Sequence, residues 1–134
     1  MKHILILIFA LVALASSAKA QEKAKIYFIR STGYIGSAGK FKCFIDKKIT
    51  CLLNNKRYSV HEVDTGKHQV DVQFSGKEYK GNDEPVFVEV EAGKSYYVQL
   101  TLKTGLLKNN VLCQEITKNS ATVMMKDLKE DNCF

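Results

Sequence analysis

The chain contains no C-x-x-C pair, no G-x-S-x-G and no H-E-x-x-H. The first absence removes the commonest spacing of a structural zinc site, the second the nucleophile elbow of a serine hydrolase, and the third the paired histidines of a helical zinc protease. His61 and His68 show no ligand-like spacing to any cysteine. The expectation is therefore no metal, no cofactor and no enzyme activity. Gly33-Tyr34-Ile35-Gly36-Ser37-Ala38-Gly39-Lys40 looks superficially like a phosphate loop, but Tyr34 stands where glycine is required and Phe41 where Ser or Thr is required. An alternating strand pattern follows it instead of a helix, so it reads as a glycine-rich connection. Repeats, low-complexity tracts and linkers are also lacking. The single proline, Pro85, suits the first residue of a strand.

Long apolar runs are lacking too, with one exception at the start. Lys2 and His3 precede twelve unbroken apolar residues, 4–15, and Ala18-Lys19-Ala20 then supplies an A-x-A cleavage signature. A bilayer core needs about 20 residues of helix, so the run reads as a signal peptide over residues 1–20 and not as an anchor. The expected product is an exported protein, secreted or periplasmic/extracellular, consisting of one domain at residues 21–134. Removing Lys2 and Lys19 with the signal lowers the formal net charge from +6 to +4. Lys40, Lys42, Lys47, Lys48, Lys56 and Arg57 come nearest to a basic cluster. Such a cluster is either a solvated face or a patch for an anionic envelope or glycan surface. No nucleic-acid motif accompanies the charge, and nucleic acid is not an expected partner.

From residue 24 to residue 117 nearly every segment alternates with period 2, the signature of half-buried strands. Val70, Val72 and Phe74 share one face and Gln69, Asp71 and Gln73 the other. Val86, Val88 and Val90 alternate with Phe87 and Glu89; Tyr96, Val98, Leu100 and Leu102 alternate with Tyr97, Gln99 and Thr101. Residues 26–29 are apolar on both faces and predict a central strand. A three-residue loop, Asp46-Lys47-Lys48, would pair Phe41 with Leu53, Cys43 with Cys51 and Ile45 with Ile49. Beyond residue 117 the period changes: Ala121, Met124, Met125 and Leu128 mark one amphipathic helix capped by Asn119 or Ser120. The expected fold is an all-β, antiparallel sandwich of about seven or eight strands with one C-terminal α-helix.

Four cysteines, Cys43, Cys51, Cys113 and Cys133, in a small exported domain read as two disulfides with three possible connectivities. The hairpin register favours Cys43–Cys51. Cys113–Cys133 then ties the terminal helix to the sheet.

Ala24-Lys25-Ile26-Tyr27-Phe28-Ile29-Arg30, Gly33-Tyr34-Ile35-Gly36-Ser37-Ala38, Phe44-Ile45-Asp46, Gly66-Lys67-His68, and Val88-Glu89-Val90-Glu91-Ala92-Gly93-Lys94-Ser95-Tyr96-Tyr97-Val98 together resemble a family of small exported domains of unknown function. These domains are often bacterial lipoproteins and are similar to PEGA-type β-sandwich modules. The resemblance implies an immunoglobulin-like sandwich in a cell-envelope or secreted setting and supplies no catalytic residues. The chain departs from the family pattern in three ways: no lipobox cysteine follows the signal, Ser31 stands where proline is common, and the four cysteines are additional. The functional expectation is a non-catalytic binding or accessory module for an envelope, glycan or protein surface, with Tyr34, Lys40 and Lys42 as its candidate contacts. The alternative is a freely secreted effector or inhibitor acting on another protein.

Overall fold

The computed structural model describes residues 20–34, 37–80, 85–106 and 109–134. The expected signal peptide lies outside these residues except for Ala20. Within them the alternating segments become strands β1 (Ala24–Arg30), β2 (Phe41–Ile45), β3 (Lys48–Leu53), β4 (Arg57–Val63), β5 (Gly66–Phe74), β6 (Val86–Val90), β7 (Ser95–Lys103) and β8 (Asn110–Ile116). Helix α1 (Lys118–Met125) and a two-residue strand, β9 (Lys129–Glu130), complete the chain. One sheet has the order β8-β7-β1-β4-β9 and the other β3-β2-β5-β6. Their inner faces meet in one core: Ile26 and Phe28 of β1, Phe41, Cys43 and Ile45 of β2, Val70 and Val72 of β5, and Val98 and Leu100 of β7 are all buried. β1 lies centrally in its sheet, as its two apolar faces require.

The all-β sandwich with a terminal helix is as expected, but the sheets are not wholly antiparallel. β1 pairs parallel to β7, and β4 parallel to β9. The whole second sheet is built between β1 and β7 in the chain, which gives the long crossover that a parallel neighbour demands. The hairpin also differs in detail. Asp46 and Lys47 both take positive φ, 51° and 66°, the pattern of a two-residue type I′ turn. Ile45 therefore faces Lys48 and Phe44 faces Ile49. A shift between Cys43 and Phe44 then restores the expected Cys43–Cys51 and Phe41–Leu53 pairs.

The cysteines correct the expected bonding. Cys51 is joined to Cys133, 82 residues away, while Cys43 and Cys113 are buried thiols. Side chains directly opposed on antiparallel strands have Cβ atoms about 4.5–5.5 Å apart, longer than a disulfide prefers. The C-terminal segment meets Cys51 from outside the ladder instead. β9 adds to β4, Asp131 N donates to Tyr58 O (2.8 Å), and Leu52 N donates to Cys133 O (2.9 Å). β3 and β9 are edge strands of different sheets, so Cys51–Cys133 fastens one side of the sandwich.

Helix α1 starts at Thr117, whose Oγ1 accepts from Ser120 N at 3.2 Å; the cap is thus neither Asn119 nor Ser120. Ala121 is fully buried and Met124 and Met125 are half-buried on this helix, which lies against β7 and β1, whereas Leu128, expected on the same stripe, falls beyond the helix end at Met125. Among the described residues no helix is long and apolar enough to cross a membrane.

Candidate functional site

The three contacts chosen from sequence do not converge. Tyr34, on the loop between β1 and β2, is 97% exposed. Lys42 leaves β2 on the outer face and its Nζ donates to Lys77 O at 2.9 Å, so its ammonium holds down the segment after β5. Lys40 is half-buried, and its carbonyl accepts from Ser75 N at 2.9 Å. Beside Tyr34 lies a shallow trough of about 300 Å³, lined by the hydroxyl-bearing Ser31, Thr32, Thr101 and Thr104 and by Gly33, Leu100 and Leu102.

A second groove, about 350 Å³, lies at the other end of β2. It is lined by Asp46, Lys47, Lys67, Gln69 and Phe87. Strand alternation builds it: Lys67 and Gln69 of β5 and Phe87 of β6 point away from the core, while Val70, Val88 and Val90 point into it. The Phe87 ring is 48% exposed, and Lys67 Nζ stands 4.4 Å from its centroid. The type I′ turn places Asp46 and Lys47 along one rim.

The charge of that rim depends on His68. Its Nδ1 lies 2.7 Å from Asp46 Oδ2 and its Nε2 2.7 Å from Asp64 O. Both partners are acceptors, so only the doubly protonated ring satisfies them both. Burial pulls the His68 pKa down, but the Asp46 and Asp64 contacts outweigh it and the net shift is upward. For Asp46 burial pushes up, and the bonds from His68 and Gln69 N outweigh it, so its carboxyl is lowered. Asp46 is therefore committed to the clasp, and Lys47 and Lys67 supply the charge facing the groove. Raised above its ordinary 6.5, His68 contributes its full stabilisation below that value and loses it as pH rises through the folded pKa. Lowered below its ordinary 3.8, Asp46 contributes above that value and loses it as pH falls through the folded pKa. The clasp is thus tightest in the mildly acidic window between them. NMR titration of the ring protons should give a His68 pKa above 6.5 that falls toward 6.5 in Asp46→Asn; an unshifted wild-type value would disprove the clasp.

The alternating pattern also put Asp71 on a water face, and that is corrected: Asp71 is 1% exposed. The segment after β5 folds back over it. Tyr79 OH donates to Asp71 Oδ2 at 2.7 Å and the Tyr79 ring lies tilted against Phe44, with centroids 4.4 Å apart. Burial, and then the Asp71 bond, push the Tyr79 phenol up to about 12.

One cluster escaped the sequence reading. His61 of β4 faces the Cys51–Cys133 corner, and a ring nitrogen of His61 and the two sulfurs all lie within 4.8 Å of one another. Ser59 Oγ holds His61 Nε2 at 2.9 Å, and Phe28 meets the ring edge-on at 5.7 Å between centroids. Burial lowers the His61 pKa, which favours the neutral imidazole. The signal that could have found it is the inward register of Ser59 and His61 on β4, opposite Phe28 and Ile26 of β1.

Residues 20–113 match the family described as Protein of unknown function (DUF2846). No curated protein and no solved structure shows a significant match. The matched stretch runs from just before β1 to Cys113 in β8, and Cys133 lies beyond it.

Proposed function

Since the chain belongs to this family of unknown function, we propose that it is a non-catalytic, exported binding module. Its ligand on this reading is an anionic polymer such as an acidic envelope glycan, held along the groove of Lys47, Lys67, Gln69 and Phe87. The observation that carries the reading is the Lys67–Phe87 pair, an exposed ring with an ammonium above it, beside Lys47 on the type I′ turn. A flat aromatic face supports a sugar ring, the ammonium groups meet carboxylates or sulfates, and Gln69 offers a neutral hydrogen-bonding group. Both grooves are shallow and open, which suits binding along a surface. The envelope setting and the likeness to PEGA-type modules belong to this same reading. The exposed Tyr34 beside a hydroxyl-lined trough supports a second contact region at the opposite end, with Lys40 nearby.

The test is retention on immobilised polyuronate or sulfated polysaccharide at two salt concentrations. Lys47→Ala/Lys67→Ala should lower affinity about tenfold or more, and wild-type binding should weaken with salt, because exposed charges are screened beyond about 8 Å at physiological ionic strength. If Tyr34→Ala or Lys40→Ala abolishes retention and the double variant does not, the groove assignment is wrong. Salt-independent pairing with a protein partner through β6, which has a hydrogen-bonded neighbour on one side in its sheet, would favour the effector reading instead.

A further inference from the structure

We propose that the reduced form of the Cys51–Cys133 corner is a zinc site, with Cys51, Cys133 and His61 as its three protein ligands. Three elements converge there. Cys51 comes from the edge strand β3, His61 from the inner face of β4, and Cys133 from the tail that closes the sandwich between them. Their donor atoms all lie within 4.8 Å of one another, and among the described residues no other His, Cys, Asp or Glu group of three is so disposed. Zn–S bonds of about 2.3 Å and Zn–N bonds of about 2.0–2.1 Å put tetrahedral ligands roughly 3.5–4 Å apart. The backbone therefore already holds the donors near the required spacing, and the sulfurs need only separate locally.

Two features beyond proximity support the site. Ser59 Oγ holds the His61 ring through Nε2, so Nδ1 goes to the metal, with Ser59 supplying the kind of outer hydrogen bond that orients metal-binding imidazoles. The tail is also anchored independently of the sulfur bond. Asp131 Oδ2 accepts from Asn54 N (3.0 Å) and Asn54 Nδ2 (2.9 Å), Asp131 N donates to Tyr58 O, and Leu52 N donates to Cys133 O. Cys133 thus stays at the corner after its sulfur is released. Cys133 and His61 are half-buried, so solvent can supply the fourth ligand of a tetrahedral site.

The chemistry balances with a dithiol as reductant. It transfers two electrons and two protons to the Cys51–Cys133 bond, leaving two thiols on this chain and a disulfide on the donor. Zn²⁺ then displaces both thiol protons, binds the two thiolates and takes neutral His61 as third ligand. Disulfide and metal exclude each other, so the corner is fastened by one or the other according to redox conditions and zinc supply.

The full chain without its leader, reduced with a phosphine and freed of it, should bind one Zn²⁺ in competition with a chromogenic chelator, and the oxidised chain none at that site. Co²⁺ in place of zinc should give a thiolate-to-metal charge-transfer band and tetrahedral d–d bands. Cys133→Ser should abolish both signals, and His61→Ala and His61→Gln should weaken Zn²⁺ binding at least tenfold. Cys43→Ala/Cys113→Ala should leave them unchanged, which separates this corner from the core thiols. If reduction unfolds the chain, Zn²⁺ should restore the β-sheet circular dichroism of the wild type and not that of the His61 variants. No zinc binding by the reduced chain, or binding indifferent to His61 and Cys133, overturns the proposal.

Discussion

Replacing Cys133 with Ser should cost about 4 kcal/mol of stability, the largest loss expected from any surface-reachable position in this chain. Cross-linking residues 82 apart in sequence removes loop-closure entropy from the unfolded chain, and the chain-entropy relation gives about 4.5 kcal/mol for a loop of that size. Native tail contacts that survive the substitution, such as Asp131 with Asn54, stabilise the folded form only and do not replace that constraint. Denaturant melts of wild type and variant under non-reducing conditions measure the difference directly. Peptide mapping of the non-reduced protein should recover Cys51 joined to Cys133 and two thiols at Cys43 and Cys113. Burial holds both thiols protonated, pushing Cys113 to about 12 and Cys43 higher. They should resist alkylation in the folded protein and react fully in denaturant. A Cys43–Cys51 peptide, or rapid alkylation of the native chain, would show that the corner is assembled differently.

Why the strands were legible and the sulfur pairing was not follows from what each depends on. Period 2 is a property of neighbouring residues, so one apolar face is enough to place Val70, Val72 and Val88 in the core. The Cys43–Cys51 register was legible for the same reason, and the ladder does oppose these residues. Which sulfur Cys51 bonds depends on where residues 129–133 return after α1, and the two-residue strand that brings them to β4 carries no periodic signal. Asp71 is a parallel case: its burial is imposed by Tyr79, eight residues on and outside the strand. His61 reaches the disulfide corner only because β4 lies across from β3 in a different sheet. Alternation tells which face a residue takes, while such sites depend on what the rest of the chain lays against that face. Tyr34, Lys40 and Lys42 show how little nearness in sequence says about a shared surface. Their nearness in sequence suggested one surface, but Lys42 is drawn onto Lys77 O while Tyr34 stands clear on its loop.

Arg30→Ala should cost about 3–4 kcal/mol, although a basic residue at a strand end ordinarily reads as solvent-facing. Arg30 follows Ala24, Ile26 and Phe28 on the inward face of β1 and is completely buried. Its Nη1 donates to Leu53 O at 2.7 Å and to Gly39 O at 3.0 Å, and the guanidinium lies 3.5 Å from the centroid of the Phe41 ring. Burial lowers its pKa to about 10, partly opposed by Cys43, so it remains charged at neutral pH. One side chain thereby joins the five-stranded sheet to the end of β3 and to the glycine-rich loop at Gly39, where φ is +76°. Alanine removes the packing of a large side chain and leaves two carbonyls without this donor. A cavity of that kind costs about 2–5 kcal/mol, and each orphaned group about 1–3 where water cannot reach it; collapse around the site keeps the sum near the lower range. Arg30→Met retains most of the volume and loses the hydrogen bonds and the charge over Phe41, so it should cost about 2 kcal/mol. The order Ala worse than Met, read from urea midpoints at constant m-value, separates packing from polar contributions. Hydrogen exchange should also rise first at Gly39 and at the end of β3 in both variants. If Arg30→Ala loses less than about 1 kcal/mol, the guanidinium does not link the sheets, and the glycine-rich loop is positioned by other contacts, such as Asn55 with Thr32 and Ser75 N with Lys40 O.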